Sequence, residues 1–439
     1  MDKINSLKLP FIGLSLALLL ASVWIPTFGF LIWFAFVPFL IGTKCFSAPK
    51  SGLAGLLLGG LFFSGFLYWI AYYEFRILLI VLTMTAPFLA LFAAFVAWMR
   101  RHIGNFTVQI LAPSIAWTLV SLLYSLTPLG IMGDQISIFQ ALHFPGIIRT
   151  VGISGFTFLI LLSNSLISLW IFTKRRQLIT WTMALIIILA LGASWKIEIV
   201  KTNPISVALI QHNFPIESNW RFENRGKIIE TYEQSVREIA GSADLVIFPQ
   251  FGLPIDVLRE PKWLSDLADA NQTNILLGTY IPKNPGGSLT EGKKIDTALL
   301  FSENGSVQGY QAINPPPFRQ IKQVLGNKRS PLTFGFGGKK IGVLLCYEDT
   351  RPQDAKLWMK EGAQILVALS NPGHFLGTPL PRYHLLHDQI RAIETGRYLI
   401  RVFPNGFSAI IDPNGKIVVQ SRLNEERILK GEVFTSATE

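Results

Sequence analysis

Residues 340–349 read KIGVLLCYED, an apolar run that gives way to a cysteine and two acids. A strand this apolar is not wetted on either face, so it belongs to a sheet covered on both sides. The runs 205–211, 244–249, 274–280, 296–302, 364–370, 398–403 and 407–412 have the same character. They are dense in Val, Ile and Leu, and Gly, Pro, Asn or Asp bounds them, as expected of strands. Helical spacing of apolar and charged residues covers 221–240 and 383–396, and more weakly 259–271. ENGS (303–306) and DPNG (412–415) read as hairpin turns whose glycine supplies a positive φ. Residues 199–439 are therefore expected to form one layered α/β domain. Within it Cys346 is either a nucleophile or a small hydrophobe closing a buried strand.

The rest of the chain has another solvent. Half of the 439 residues are hydrophobic, 15% are charged and the mean hydropathy is +0.41, values foreign to a soluble enzyme of this size. The excess lies before Trp195, in apolar segments at 11–25, 27–42, 53–72, 78–98, 107–127, 147–172 and 178–195. Segments approaching ~20 residues cross a bilayer as helices, so residues 1–198 are expected to be a multi-pass helical membrane domain of about seven spans. Pro26 and Pro38 interrupt the first two, which are expected to form a tight hairpin. The N-terminus has no small-residue cleavage site before soluble sequence and does not read as a removable signal peptide.

With seven spans, Lys3, Lys8, Lys44, Lys50, Arg100, Arg101, Lys174, Arg175 and Arg176 share one side, against Arg76 and Arg149 on the other. The positive-inside rule makes the first side cytoplasmic, and the odd count then sends the C-terminal domain to the periplasm of a bacterial inner membrane. The net charge of +11 thus has a topological origin, and nucleic acid is not expected as a partner. The basic stretch Lys322, Lys328, Arg329, Lys339 and Lys340 suits anionic headgroups better. Glu74, Asp134 and Gln135 fall in interfacial loops and no ionisable residue lies near a span centre, which disfavours a transporter. Cys45 and Cys346 lie far apart in different domains, so neither a disulfide nor a cysteine-based zinc site is expected. His384 and His387, three apart on a helix with no third ligand in view, read as part of a solvated face, so no metal is expected.

The ordered motifs VALIQHNFPIESNW (207–220), DLVIFPQFGLP (244–254), GVLLCYED (342–349), ILVALSNPGHF (365–375) and RAIETGRYLIRVFPNGFSAIIDPNG (391–415) resemble the carbon–nitrogen hydrolase (nitrilase) superfamily. With the glycine-rich GLLLGGLFFSGFLYWIAYY (55–73), they resemble specifically its membrane-embedded apolipoprotein N-acyltransferase family. That resemblance implies a four-layer αββα domain and no cofactor. It also implies a Glu–Lys–Cys triad whose thiol accepts an acyl chain from a phospholipid and passes it to a lipoprotein's terminal amine. A free thiol of pKa ~8.5 is only a few per cent thiolate near neutrality, so it needs a base and a nearby cation.

Carried over by motif, the nucleophile falls on Cys346, followed by Tyr347 and Glu348, and Trp220 matches the tryptophan after the first strand. The base position holds Gln250, and a carboxamide accepts no proton at physiological pH. Anchoring YQAINPPPFRQ (310–320) on Pro317-Phe318 puts Ala312 at the lysine and Gln320 at a second glutamate. The family's Asn-Asp-Ala-Trp-Phe motif becomes NPGHF (371–375), which introduces His374, and the last spanning helix that the family usually has is not expected before Glu439. The expected site is thus Cys346, Glu348, Gln250 and Ala312, with Trp220, Tyr347, Gln320 and His374 around the substrate. His374, Asp256, Arg319 and Lys322 are the candidate replacements for the lost groups. The resemblance with these losses implies a pseudoenzyme that binds phospholipid or lipoprotein, or that modulates an active paralogue. Its rival is an acyltransferase that still forms a thioester on Cys346 with non-standard helpers.

Overall fold

The computed structural model of the chain describes residues 8–127, 134–215, 222–255, 257, 261–282, 294–313, 334–371 and 373–435. It divides into two compact units, Met1–Lys196 and Ile197–Glu439.

In the first unit the apolar segments form α1 (Lys8–Trp24), a 3-10 helix (Pro26–Trp33) followed by α2 (Val37–Gly42), α3 (Ala48–Phe66), α4 (Phe75–His102), α5 (Phe106–Ser125), α6 (Pro145–Thr173) and α7 (Arg176–Ser194). By length and composition α4, α5, α6 and α7 can cross a membrane. α3 packs on α4 through its glycines. A Cβ at Gly55 would lie 2.2 Å from the Leu89 carbonyl oxygen, and one at Gly59 2.6 Å from that of Ala86. Only hydrogen at these positions lets the two backbones meet, as at small-residue crossings in membranes generally.

The expected span at 27–42 is not a continuous α-helix, because Pro26 and Pro38 each remove a donor and the chain turns 3-10 between them. The freed backbone groups at this break are answered by side chains. The Phe36 N–H donates to Asn164 Oδ1 (2.8 Å), and Asn164 Nδ2 donates to the carbonyls of Ile32 (3.0 Å) and Ile160 (2.8 Å). The Phe39 N–H donates to Ser15 Oγ (2.8 Å). In an apolar medium such groups have no water to turn to. Asn164→Leu should therefore destabilise the membrane unit by about 2 kcal/mol, seen as a lower unfolding midpoint in detergent. An unchanged midpoint would show that the break does not depend on Asn164.

The second unit is a two-sheet sandwich between helices. One sheet has the order β12-β1-β2-β3-β4-β5, from β1 (Pro204–Gln211), β2 (Leu245–Phe248), β3 (Asn274–Pro282), β4 (Lys294–Phe301), β5 (Val307–Gln311) and β12 (Arg427–Phe434). The other has the order β11-β10-β9-β8-β7-β6, from β6 (Phe334–Phe336), β7 (Lys339–Leu345), β8 (Ile365–Leu369), β9 (Leu399–Val402), β10 (Ala409–Ile411) and β11 (Ile417–Gln420). Strands β1, β2 and β3 run parallel, as do β7, β8 and β9.

In the first sheet the period of two sorts each strand between two cores. Val207 and Leu209 join the core between the sheets, while Ala208 and Ile210 join the core beneath α8 (Arg225–Glu238) and α9 (Pro261–Ala270). α10 (Pro352–Lys360) and α11 (Leu380–Thr395) cover the second sheet and complete the four-layer αββα arrangement. The two expected hairpins close β4–β5 and β10–β11, with Gly305 (φ +79°) and Gly415 (φ +78°) in the turns.

Candidate active site

The candidate site lies where parallel strands end. β7 stops at Leu345 and the chain enters a 3-10 turn, Cys346–Thr350, with Cys346 itself at φ +52°. For a residue with a Cβ that conformation costs of order 1–3 kcal/mol and persists only when its surroundings impose it. Glu348 imposes it. Its fully buried carboxylate accepts from the Leu345 N–H (2.9 Å), the Tyr310 hydroxyl (2.9 and 3.1 Å) and the Ile313 N–H (2.7 Å). Burial, with the Glu348 charge added, pushes the Tyr310 hydroxyl far above its usual range and keeps it a donor. Glu348 thus bolts the cysteine turn to the strand end it left and to the end of β5. Its geometry is that of a clamp, because donors on Tyr310, Ile313 and Leu345 converge on it. Tyr347 is half-buried beside it.

The same bolt brings in Ala312, a buried methyl between Gln311 at the end of β5 and Ile313 on the carboxylate. Gln250 arrives from the other sheet. It stands two residues past the end of β2, and its carbonyl accepts from Asn371 Nδ2 (3.0 Å). Asn371 follows β8, which runs beside β7 with Leu369 opposite Leu345. Gln250 is wholly buried, packed so closely on Gly278 that a Cβ there would lie 2.9 Å from its Cα. Phe251 after it is also left-handed (φ +59°), with its ring stacked on Tyr280 at 3.7 Å. Among the described residues, neither the amide oxygen nor the amide nitrogen of Gln250 has a hydrogen-bond partner, and the same holds for the buried Ser370 Oγ. Orphaned polar atoms are rare in native cores, and these two residues follow β2 and β8, whose ends lie near the cysteine turn.

Cys346, Glu348, Gln250 and Ala312 are therefore assembled around these strand ends. His374 is exposed on the short 3-10 helix Gly373–Phe375 that follows β8. Trp220, Gln320, Asp256, Arg319 and Lys322 lie outside the described residues.

The expectation of a solvated face for His384 and His387 is overturned, since both are buried on α11. His384 Nδ1 lies 2.7 and 3.0 Å from the two oxygens of Asp349, within the cysteine turn. Arg401, fully buried on β9, donates to Asp349 (3.3 Å) and Asp388 (2.5 Å) and through Nε to the Phe407 carbonyl (3.1 Å). Burial alone would raise the Asp349 carboxyl, but His384, Arg401 and His387 together hold it below its usual range. Burial, with Asp349 adding to it, pushes Asp388 up to about 7 against the pull of Arg401. Burial and the Arg391 charge push His387 down to about 3. An arginine inside an apolar strand, YLIRVF, was the one sequence signal that a buried carboxylate had to be near.

Comparison with known proteins accounts for both units. A carbon-nitrogen hydrolase family model matches residues 206–438, and an apolipoprotein N-acyltransferase N-terminal domain model matches residues 15–166. Apolipoprotein N-acyltransferase from Geobacter metallireducens is 26% identical over 96% of this chain and 88% of its own length. The protein of that name from Nitrosomonas europaea is 25% identical over 84% and 80%. Among solved structures, a carbon-nitrogen hydrolase from Helicobacter pylori covers 52% of this chain and 89% of its own, at 17% identity and a TM-score of 0.42. The chain belongs to the carbon-nitrogen hydrolase family, as an apolipoprotein N-acyltransferase-like membrane protein.

Proposed function

We propose that this chain is a pseudoenzyme of the bacterial inner membrane, one that binds phospholipid or lipoprotein without transferring an acyl chain. Residues 1–198 anchor it and residues 199–439 face the periplasm, a placement supported by the positive charges gathered on the opposite side. One observation carries the reading. Where thioester chemistry needs a base and a cation, the site holds the wholly buried carboxamide of Gln250 and the methyl of Ala312. A carboxamide cannot take the thiol proton, and a methyl group offers nothing to a developing oxyanion. Glu348, the nearest carboxylate in sequence, is committed to its clamp. An intact Glu–Lys–Cys paralogue in the same cell is the natural partner for such a protein.

A second reading, an acyltransferase with non-standard helpers, is favoured by the strained, half-buried presentation of Cys346. Mass spectrometry separates the two. After incubation of the intact protein with phospholipid, Cys346 should carry no acyl group beyond the level in Cys346→Ser. A thioester on the parent alone would end the pseudoenzyme reading.

A further inference from the structure

One end of the helix bundle encloses a narrow cleft between Phe39 and Leu40 of α2, Ser51 of α3, and Phe92, Val96 and Arg100 of α4, with exposed Lys44 beside it. Arg100 Nε and Nη2 and Ser51 Oγ are buried there and, among the described residues, have no hydrogen-bond partner. Nε–H and Nη2–H share one edge of the guanidinium, the edge that grips carboxylate or phosphate oxygens as a fork. Among the described residues of the first unit, no acid meets it. Between residues 8 and 196 the only acids are Glu74 and Asp134. Glu74 precedes α4 and stands ~39 Å from Arg100 at 1.5 Å per residue. Asp134 accepts from Ser154 Oγ (3.0 Å) and Thr157 Oγ1 (3.5 Å), beyond the far end of α5.

The neighbouring cations at this end rest on aromatic faces instead of anions. Lys44 Nζ lies 3.7 Å from the Phe172 ring centre, Lys174 Nζ 4.5 Å from that of Trp170, and the Arg175 guanidinium 4.3 Å from that of Phe106. Arg100 alone among these turns its charge inward, into a space that admits one oxygen-sized group. The apolar walls around that space suit a ligand whose charge is followed by hydrocarbon. We propose that this cleft seats the phosphate of an anionic phospholipid, with one phosphate oxygen entering between Arg100 and Ser51 and Lys44 meeting the headgroup outside. The site is built from the first unit alone and does not depend on the fate of Cys346.

Native mass spectrometry of the detergent-purified intact chain tests it, with phosphatidylglycerol, phosphatidylcholine of equal acyl length and inorganic phosphate titrated separately. Phosphatidylglycerol should bind most tightly. Arg100→Gln should weaken it about tenfold, the loss of one charge-assisted fork. Arg100→Lys keeps the charge in a folded chain but loses the fork, and should also weaken binding. Arg101→Gln, on the exposed neighbour, should stay within about twofold of the parent. Equal loss in Arg100→Gln and Arg101→Gln would overturn the proposal in favour of diffuse surface charge. Inorganic phosphate binding as tightly as phosphatidylglycerol would overturn it in favour of a soluble anion.

Discussion

If the pseudoenzyme reading holds, Gln250→Glu combined with Ala312→Lys should raise acyl transfer to Cys346 far above the parent's level. Glutamate has the shape of glutamine, so the packing against Gly278 is kept and only the charge changes. The new carboxylate accepts the thiol proton, and the new ammonium compensates it and the developing oxyanion. A positioned general base is worth about 10²–10⁴ in rate, and a positioned oxyanion donor about 10²–10³. Together they should raise formation of acyl-Cys346 by at least about 10⁴-fold over either single variant, because such groups act as a unit. Gln250→Glu alone should be inert and less stable by ~3 kcal/mol, since it buries a charge with no cation beside it. The readout is the rate of thioester formation from phospholipid, followed by mass spectrometry. A double variant that folds, binds lipid and stays unacylated would mean that Cys346 is misplaced for attack, and the loss of function would lie in geometry instead of in two side chains.

The strands that sequence made visible are those whose faces are both buried, such as β7 and β8, because continuous apolar runs are local signals. β12 was not visible. RILKGEVF keeps no strict alternation of polar and apolar residues, and it is a strand because β1 lies antiparallel to it across more than two hundred residues. The short strands β5, β6 and β11 and the helix α10 are likewise set by tertiary neighbours. At the site, the Cys-Tyr-Glu address and the substitutions at Gln250 and Ala312 were legible as motifs. The left-handed cysteine and the Glu348 clamp were not, since both arise from contacts with Tyr310 and Ile313. His384 and His387 were misread for the same reason. A local pattern of histidine and charge looks solvated until Arg401, on another element, turns the helix face into an interior.

That interior carries the largest expected loss of stability. Arg401→Met should lower the stability of the second unit by about 3–5 kcal/mol, because two buried carboxylates lose their shared cation. For a unit of this size the unfolding midpoint should fall by ~10 °C. The pH dependence distinguishes charge from packing. In the parent, Asp349 is held below its usual range, so its contribution is present above the unfolded carboxyl pKa of ~3.9 and is lost as pH falls through the folded value. Asp388 has the opposite sign. With its folded pKa up near 7, the folded chain keeps a proton that the unfolded chain has released, so this group makes stability fall as pH rises from about 4 to 7. Arg401 pulls both values down, so removing it raises both and extends the second behaviour to Asp349. The deficit of Arg401→Met against the parent should therefore be smallest at acid pH and grow toward neutrality through Asp349, by up to about 1.4 kcal/mol per pH unit, while Asp388 adds to it only above about pH 7, where the parent's carboxyl releases its proton and the variant's does not. Melting curves of the intact protein across that range decide the matter. A deficit that stays constant with pH would mean that Arg401 matters for its volume and that the carboxylates find other partners. A deficit that grows would make the cluster behind Cys346 a charge lock on the cysteine turn, holding it in place through Asp349.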